Sequence, residues 1–298
     1  MTLFRIILRA LLLHYAVVGY ISIPGKPKGE KADEDTFSFA FMTDIHIEYG
    51  NTALEDFRRA AARLNNLKPD FVLTGGDNIR DARRGRESYA DSLYNLYLSE
   101  ITKLEMPVHT GFGNHESFGV DNPRTLPQSP SYGKNMFREK IGPTYYSFVH
   151  KVWKVFMLDN VFDTLSGGYR YIGRIDNDQM KWIEKELAST ENDMPIVICS
   201  HIPFVSSMKK FELGSLSGNP VNDGVENSIE FFRLFKDHNI KLMLQGHFHF
   251  FEVLYANDAY YITGPSPNRR FGNPTSAKFG MFLFKTVNDS ISWKFIEN

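Results

Sequence analysis

The chain has 298 residues, 42% of them hydrophobic and 23% charged, the balance of an ordinary globular protein large enough to bury a full core. With 34 basic against 35 acidic residues its formal net charge is -1, so no global field recruits nucleic acid or an anionic membrane surface. Its single cysteine, Cys199, excludes an intrachain disulfide, and the β-branched surroundings in IVICS predict a buried, inert thiol.

The N-terminal stretch MTLFRIILRALLLHYAVVGYISI carries Arg5 and Arg9 ahead of an apolar run from Ala10 to Ile23, which Pro24 and Gly25 break. A charged start, an apolar centre and a break are the layout of a secretory leader. The run falls short of the about 20 residues that a membrane-spanning helix needs. The expectation is an exported protein: residues 1–23 form a signal peptide or, if uncleaved, a membrane anchor, 24–36 a linker, and 37–298 one folded domain.

The folded part opens with FSFAFMTDIH, a strand from Phe37 ending at Asp44. Ala53, Leu54, Phe57, Ala60, Ala61, Leu64 and Leu67 recur at helical spacing. DFVLTGGD is a short apolar strand running into glycines and Asp77, a helix follows over about Ser88 to Leu104, and MPVHTGFGNHES is again a strand running into glycines. This β-α-β-α-β order predicts an α/β fold with a parallel sheet. Asp121 to Gly142 has no clear period and reads as a long loop near an active-site edge. YYSFV and VWKVFMLD read as a strand pair, and Asp176 to Leu187 as a helix capped by Asp176. MPIVICSH and IKLMLQGH are further strands, and VLYA, AYYITG, KFGMFLFK and ISWKFI are antiparallel strands of the tail.

Five apolar strands thus end C-terminally in metal-capable residues: Asp44 and His46, Asp77, Asn114 and His115, His201, and His247 with His249. Open α/β sheets form their sites at those ends. A set of imidazole, carboxylate and amide oxygen without thiolate suits Mn, Fe or Zn rather than a structural Cys-type zinc site. The glycines before Asp77, Asn114 and His247 let the backbone turn sharply and keep bulk away. QGHFHF, read as extended, puts His247 and His249 on one face and Phe248 and Phe250 on the other, where the phenylalanines would pack into the core.

The ordered blocks DIH, GGDN, GNHE, SH and GHFH resemble the calcineurin-like metallophosphoesterase family, over about Phe39 to His249. The resemblance implies a central β-sandwich flanked by helices, with the metal site at C-terminal strand ends. It implies Asp44, His46 and His249 as ligands of one metal, Asn114, His201 and His247 as ligands of a second, and Asp77 as the bridge. It further implies hydrolysis of phosphate mono- or diesters by attack of metal-bound hydroxide, with two cations about 3.5–4 Å apart clamping the phosphoryl group. His115 matches the histidine that stabilises the transition state or protonates the leaving alkoxide, and Glu116 orients neighbouring groups.

Arg80 stands where purple acid phosphatases carry tyrosine, and His46 where they carry glycine; the D-x-H opening is more similar to the cyclic-nucleotide phosphodiesterase-like and secreted branches. Arg80, Arg83, Arg84 and Arg86 follow the bridging Asp as phosphate-binding candidates, against the plainer reading of a solvated charge run. Tyr169-Arg170-Tyr171 and Asn268-Arg269-Arg270-Phe271 offer cation-plus-aromatic surfaces for a nucleotide base or aryl group, or else surface packing. Arg80, Tyr169 and Arg269 are therefore the candidate substrate contacts. The expected partner is a small phosphate ester, nucleotide-like in the leading case, with no stable nucleic-acid partner. The alternatives are a noncatalytic binding scaffold of the same fold and a nuclease of the same superfamily.

Overall fold

The computed structural model describes residues 35–164, 170–213, 222–269 and 278–298, without the side chains of 211–213. The expected leader and most of the linker lie outside these residues, as does Tyr169. Among the described residues no helix is long and apolar enough to cross a membrane.

The first half follows the expected alternation. Strand β1 (Phe37–Met42), helix α1 (Thr52–Leu67), β2 (Phe71–Thr74), α2 (Glu87–Ile101) and β3 (Val108–Thr110) form two successive β-α-β units between neighbouring strands. β1 pairs in parallel with β2, and β2 with β3. α1 starts at Asn51, whose side chain accepts from the amide of Ala53, and ends in left-handed Lys68. The stretch 121–142 is mostly turns but holds a short helix, α3 (Asn135–Lys140), where no period was legible.

The chain then builds a second sheet. β4 (Tyr146–His150) and β5 (Trp153–Met157) are the expected pair, and a small β6 (Val161–Asp163) and β7 (Tyr171–Gly173) ribbon follows. Helix α4 (Asn177–Ala188) begins at Asp176, whose carboxylate accepts from the amide of Gln179. β8 (Pro195–Cys199), short α5 (Met208–Leu213), α6 (Ser228–Leu234) and β9 (Asn239–Gln245) come next. The tail holds β10 (Glu252–Ala256), β11 (Ala259–Thr263), β12 (Gly280–Val287) and β13 (Ser290–Glu297). The tail strands do not form a unit of their own. β11 runs parallel to β9, whereas β12 returns to pair antiparallel with β1.

The result is two sheets, ordered β13-β12-β1-β2-β3 and β10-β11-β9-β8-β5-β4. Period-two alternation decides how they stack. Phe37, Phe39, Phe41, Phe71, Leu73, Phe282 and Phe284 of the first sheet meet Trp153, Val155, Met157, Val197, Cys199, Leu242 and Leu244 of the second. Ala40, Met42 and Val72, on the opposite face of the first sheet, pack under α1 and α2. Phe156, Ile196, Ile198 and Met243 pack under α4 and α6. Strands covered on both faces read as continuous apolar runs, as these do. The fold is therefore a helix–sheet–sheet–helix α/β sandwich. Cys199 is buried inside it, its Sγ 3.9 Å from the carbonyl of Thr74, and burial pushes its thiol pKa up.

Phe39 lies at the centre of the sandwich, stacked on Phe71 at 5.2 Å and on Phe284 at 4.8 Å between ring centroids. Phe39→Ala removes a fully buried ring that joins three strands. Urea denaturation should show a loss of about 3–5 kcal/mol.

Candidate metal centre

Every candidate ligand sits just beyond the C-terminal end of a strand: Asp44 and His46 after β1, Asp77 after β2, Asn114 after β3, His201 after β8, and His247 and His249 after β9. The backbone there is unusual. Asp44, His46, Asp77, His247 and His249 all have positive φ, between 48° and 71°. Left-handed backbone costs a non-glycine residue about 1–3 kcal/mol, so the surrounding structure must enforce it.

Hydrogen bonds between the loops do so. The amides of Asp44, His46 and Ile47 donate to the carbonyls of Gly76, Asp77 and Asn78 at 3.0, 2.9 and 2.9 Å, carrying the β1–β2 pairing past the strand ends. Gly246 donates to the carbonyl of His201, joining the β8 and β9 ends, and the amide of His247 donates to Asp44 at 3.0 Å. Two glycines are needed for close approach. A Cβ on Gly113 would stand 2.2 Å from the amide of Asp77, and one on Gly246 would stand 2.1 Å from the Thr43 hydroxyl.

QGHFHF is thus not an extended strand end. β9 stops at Gln245, and both histidines turn inward through left-handed backbone rather than by sharing a strand face. Phe248 is buried, but beside the His247 ring and beneath the Lys209 ammonium rather than in one of the three cores. Phe250 is half-buried.

The ligand atoms converge in two groups sharing Asp77. Asp44, His46, Asp77 and His249 make one, and Asp77, His201 and His247 the other, the atoms within each lying within 4.8 Å of one another. In the first group Nε2 of His46 lies 3.0 Å from Nε2 of His249, which is 3.2 Å from Oδ1 of Asp44. In the second, Oδ1 of Asn114 lies 3.0 Å from Nε2 of His201 and 3.1 Å from Nδ1 of His247. Oδ2 of Asp77 is 3.3 Å from Nε2 of His201 and 3.8 Å from Nε2 of His46.

The tautomers bear on what this arrangement can hold. Nδ1 of His201 is 2.9 Å from the carbonyl of Gly75, which can only accept, so that nitrogen carries the proton. A neutral His201 then aims a lone pair at two further acceptors, the oxygens of Asn114 and Asp77. Such a convergence repels itself unless a positive charge lies among the atoms. A proton can supply it: although burial opposes, Asp77 and Asp44 push the His201 pKa up to about 9. A metal ion supplies it equally, and this imidazole, carboxylate and amide set fits one.

Charge elsewhere in the cluster follows the same logic. Burial would raise the Asp77 carboxyl, but His201, His115 and His46 hold it well below its ordinary value. Asp44 is likewise lowered, by His249 against the push of burial. His46 is pushed well down by burial and then by His115, which keeps it a neutral donor.

His115 lies at the rim of the cluster. Its Nδ1 donates to the carbonyl of Arg80 at 2.6 Å, leaving Nε2 turned to the cluster, 3.8 Å from Oδ2 of Asp77. Glu116 is fully buried and does not join the ligands. Its carboxylate accepts from the amides of Asp77, Asn78, Ile79 and Gly113 at 2.7–3.2 Å, holding the loop that bears Asp77 against the loop that bears Asn114. Burial and Asp77 push its pKa up, while amide donors on both of its oxygens favour the ionised form.

The arginines after Asp77 separate. Arg83 is buried, donating to Asp121 and to the carbonyl of Asn114, with its guanidinium over the Tyr171 ring. Arg80 is partly exposed, 3.9 Å from Glu48. Arg84 and Arg86 are exposed and, with Arg124 of the long loop, line an open cavity of about 780 Å³. Arg269 reaches the carbonyl of Asn298 at 3.5 Å, and its amide donates to Asp56; Arg270 and Phe271 lie outside the described residues. Sequence reasoning missed one neighbour of the cluster: Asp223, whose Oδ1 is 3.5 Å from Nε2 of His247.

A two-sheet sandwich with an Asp/His cluster at its strand ends is a scaffold suited to metal-assisted hydrolysis. The chain belongs to the calcineurin-like phosphoesterase family, whose model matches residues 37–251. A dimetal phosphatase from Danio rerio shares the fold with a TM-score of 0.63 at 14% identity, covering 88% of this chain and 96% of its own. GAP50, described as the anchor in the inner membrane complex of Plasmodium, shares it with a TM-score of 0.57 at 17% identity, covering 88% and 84%. No curated protein sequence matches the chain.

Glu116→Gln tests the amide clamp. The new NH2 group would face amide donors, leaving buried groups unpaired at a cost of about 1–3 kcal/mol or more. Urea denaturation should show that loss.

Proposed function

We propose that this protein is a dinuclear metal-dependent phosphoesterase hydrolysing phosphate mono- or diesters. The observation that carries the reading is the sharing of Asp77 between two groups of ligand atoms. Asp44, His46, Asp77 and His249 would hold one ion; Asp77, Asn114, His201 and His247 would hold the other. Mn, Fe or Zn matches these donors. A bound pair supplies Lewis-acid polarisation of the phosphoryl group and activation of water.

The chain's own residues do the rest. Asp77, ionised and buried, offsets the repulsion between two cations. His115, with its tautomer fixed by the Arg80 carbonyl, presents Nε2 at the open side, where a protonated ring can donate to the departing oxygen. Arg80, at the rim, is placed to meet an anionic ester. Small, nucleotide-like esters are the proposed substrates. An exported location accords with the N-terminal stretch.

The second reading is a noncatalytic scaffold, favoured by the likeness to GAP50, a protein described as an anchor. Against it stands the complete set of seven ligand-type residues together with His115, all at one site.

Purified protein loaded with Mn2+, Fe or Zn2+ and offered generic mono-, di- and cyclic-phosphate esters tests the reading; inactivity with every metal would favour the scaffold. Asp77→Ala should lower kcat/KM by more than about 100-fold, the upper range for losing even an outer-shell partner. His115→Asn should lose about 10²–10⁴-fold on alkyl esters, with less loss on nitrophenyl esters, whose leaving group needs no proton. Metal content should be unchanged in that variant. Mn2+ at 100 times its Kd should stabilise the metal-free protein by about 2.7 kcal/mol, read as a rise in Tm that chelator reverses.

A further inference from the structure

His247 differs from the other imidazoles whose outer nitrogens are fixed by the backbone. In His201 and His115 that nitrogen meets a neutral carbonyl, of Gly75 and Arg80 respectively. In His247, Nδ1 faces Asn114 and the outer Nε2 faces a carboxylate, with Oδ1 of Asp223 at 3.5 Å. The other oxygen of Asp223 lies 3.1 Å from the ammonium of Lys209, which favours the ionised, accepting form. The Lys209 ammonium in turn lies over the ring of Phe248, the next residue after His247.

The position of Asp223 is set from elsewhere in the fold. Val225 forms a parallel bridge to Gly173, and the amide of Glu226 donates to the Gly173 carbonyl at 2.8 Å. A Cβ on Gly173 would stand 2.2 Å from the carbonyl oxygen of Gly224, so glycine is what lets this segment approach β7. The same ribbon brings Tyr171 edge-on to the His247 ring at 6.0 Å, and His201 flanks that ring at 5.2 Å. The ring is thus flanked by Tyr171, His201 and Phe248 and faced at its tip by a carboxylate.

We propose that Asp223 is the positioning residue of His247. It fixes the tautomer that leaves Nδ1 unprotonated toward Asn114, and it selectively strengthens the ion held by Asp77, Asn114, His201 and His247. An ionised carboxylate beside the outer nitrogen makes a ligating imidazole more basic than a carbonyl does, and loss of such a partner typically weakens metal affinity 10–100-fold. The other group, of Asp44, His46, Asp77 and His249, does not include His247 and so retains its affinity. This inference rests on the dinuclear reading above.

The test compares the full chain with Asp223→Asn and Asp223→Glu, titrating Mn2+ into metal-free protein by calorimetry and recording the visible spectrum after Co2+ loading. Asp223→Asn keeps the shape of the side chain and removes its charge. The expected result is two Mn2+ sites in the starting protein, one of them weakened 10–100-fold in Asp223→Asn and the other unchanged. The Co2+ bands should shift in the same variant, the metal-free Tm should hold, and Asp223→Glu should recover part of the affinity. Two unchanged affinities overturn the proposal. So does a joint weakening of both sites with a lowered metal-free Tm, which marks Asp223 as merely structural. Fewer than two Mn2+ sites in the starting protein overturns the dinuclear reading and this inference with it.

Discussion

The structure depends on keeping the Asp77 carboxylate ionised where water does not reach it. Burial opposes the charge, and three imidazoles, of His201, His115 and His46, outweigh burial. An isolated buried carboxylate would neutralise itself, so the histidines and the acid have to be assembled together. The consequence runs in both directions. Asp77 draws side chains from the strand ends of both sheets to a common point, and each supplies positive or metal-binding character that makes Asp77 tolerable. A second buried carboxylate, Glu116, lies close behind it and is itself tied down by four backbone amides.

Convergence of this kind strains the chain. Five of the ligand-type residues sit in left-handed backbone, two as aspartates and three as histidines. Aspartate and histidine tolerate that region better than most residues, yet each still costs energy there. The ladder between the β1 and β2 loops and the bond from His247 to Asp44 resist relaxation. Strain of this sort belongs to a preorganised site, since ligands already turned inward need little rearrangement when an ion arrives.

Much of this was legible because the relevant signals are local. Apolar strands ending in Asp, Asn or His can be read one segment at a time, and the Asp176 cap and the helical spacing of α1 are equally local. What the sequence did not disclose depends on distant partners. Nothing near Phe37 says that it will pair with Thr286 across the chain, so the sandwich followed only from resemblance, and the parallel pairing of β11 with β9 was missed. The arginine run looked uniform, yet Arg83 is internal because Asp121 and Asp163 come back to meet it. The left-handed backbone of QGHFHF was masked by the alternation of histidine and phenylalanine, which imitates an extended strand. Asp223 lies in NPVNDG, a stretch whose composition says turn and nothing more.

The two ligand groups, finally, are not equivalent. With Asp77 shared, one position adds a second carboxylate, Asp44, and two imidazoles; the other adds a neutral amide oxygen and two imidazoles. The first position therefore carries more negative charge and, on the dinuclear proposal, would favour the harder or more highly charged cation. Asp223 lies on the poorer side, where the proposed carboxylate–imidazole contact would raise donor strength without adding a ligand. The Lys209 ammonium beside it limits the added negative charge. The asymmetry between the halves is then moderated from outside the cluster, by residues that pack against β7 and the loop after β9 rather than by any member of the ligand set itself.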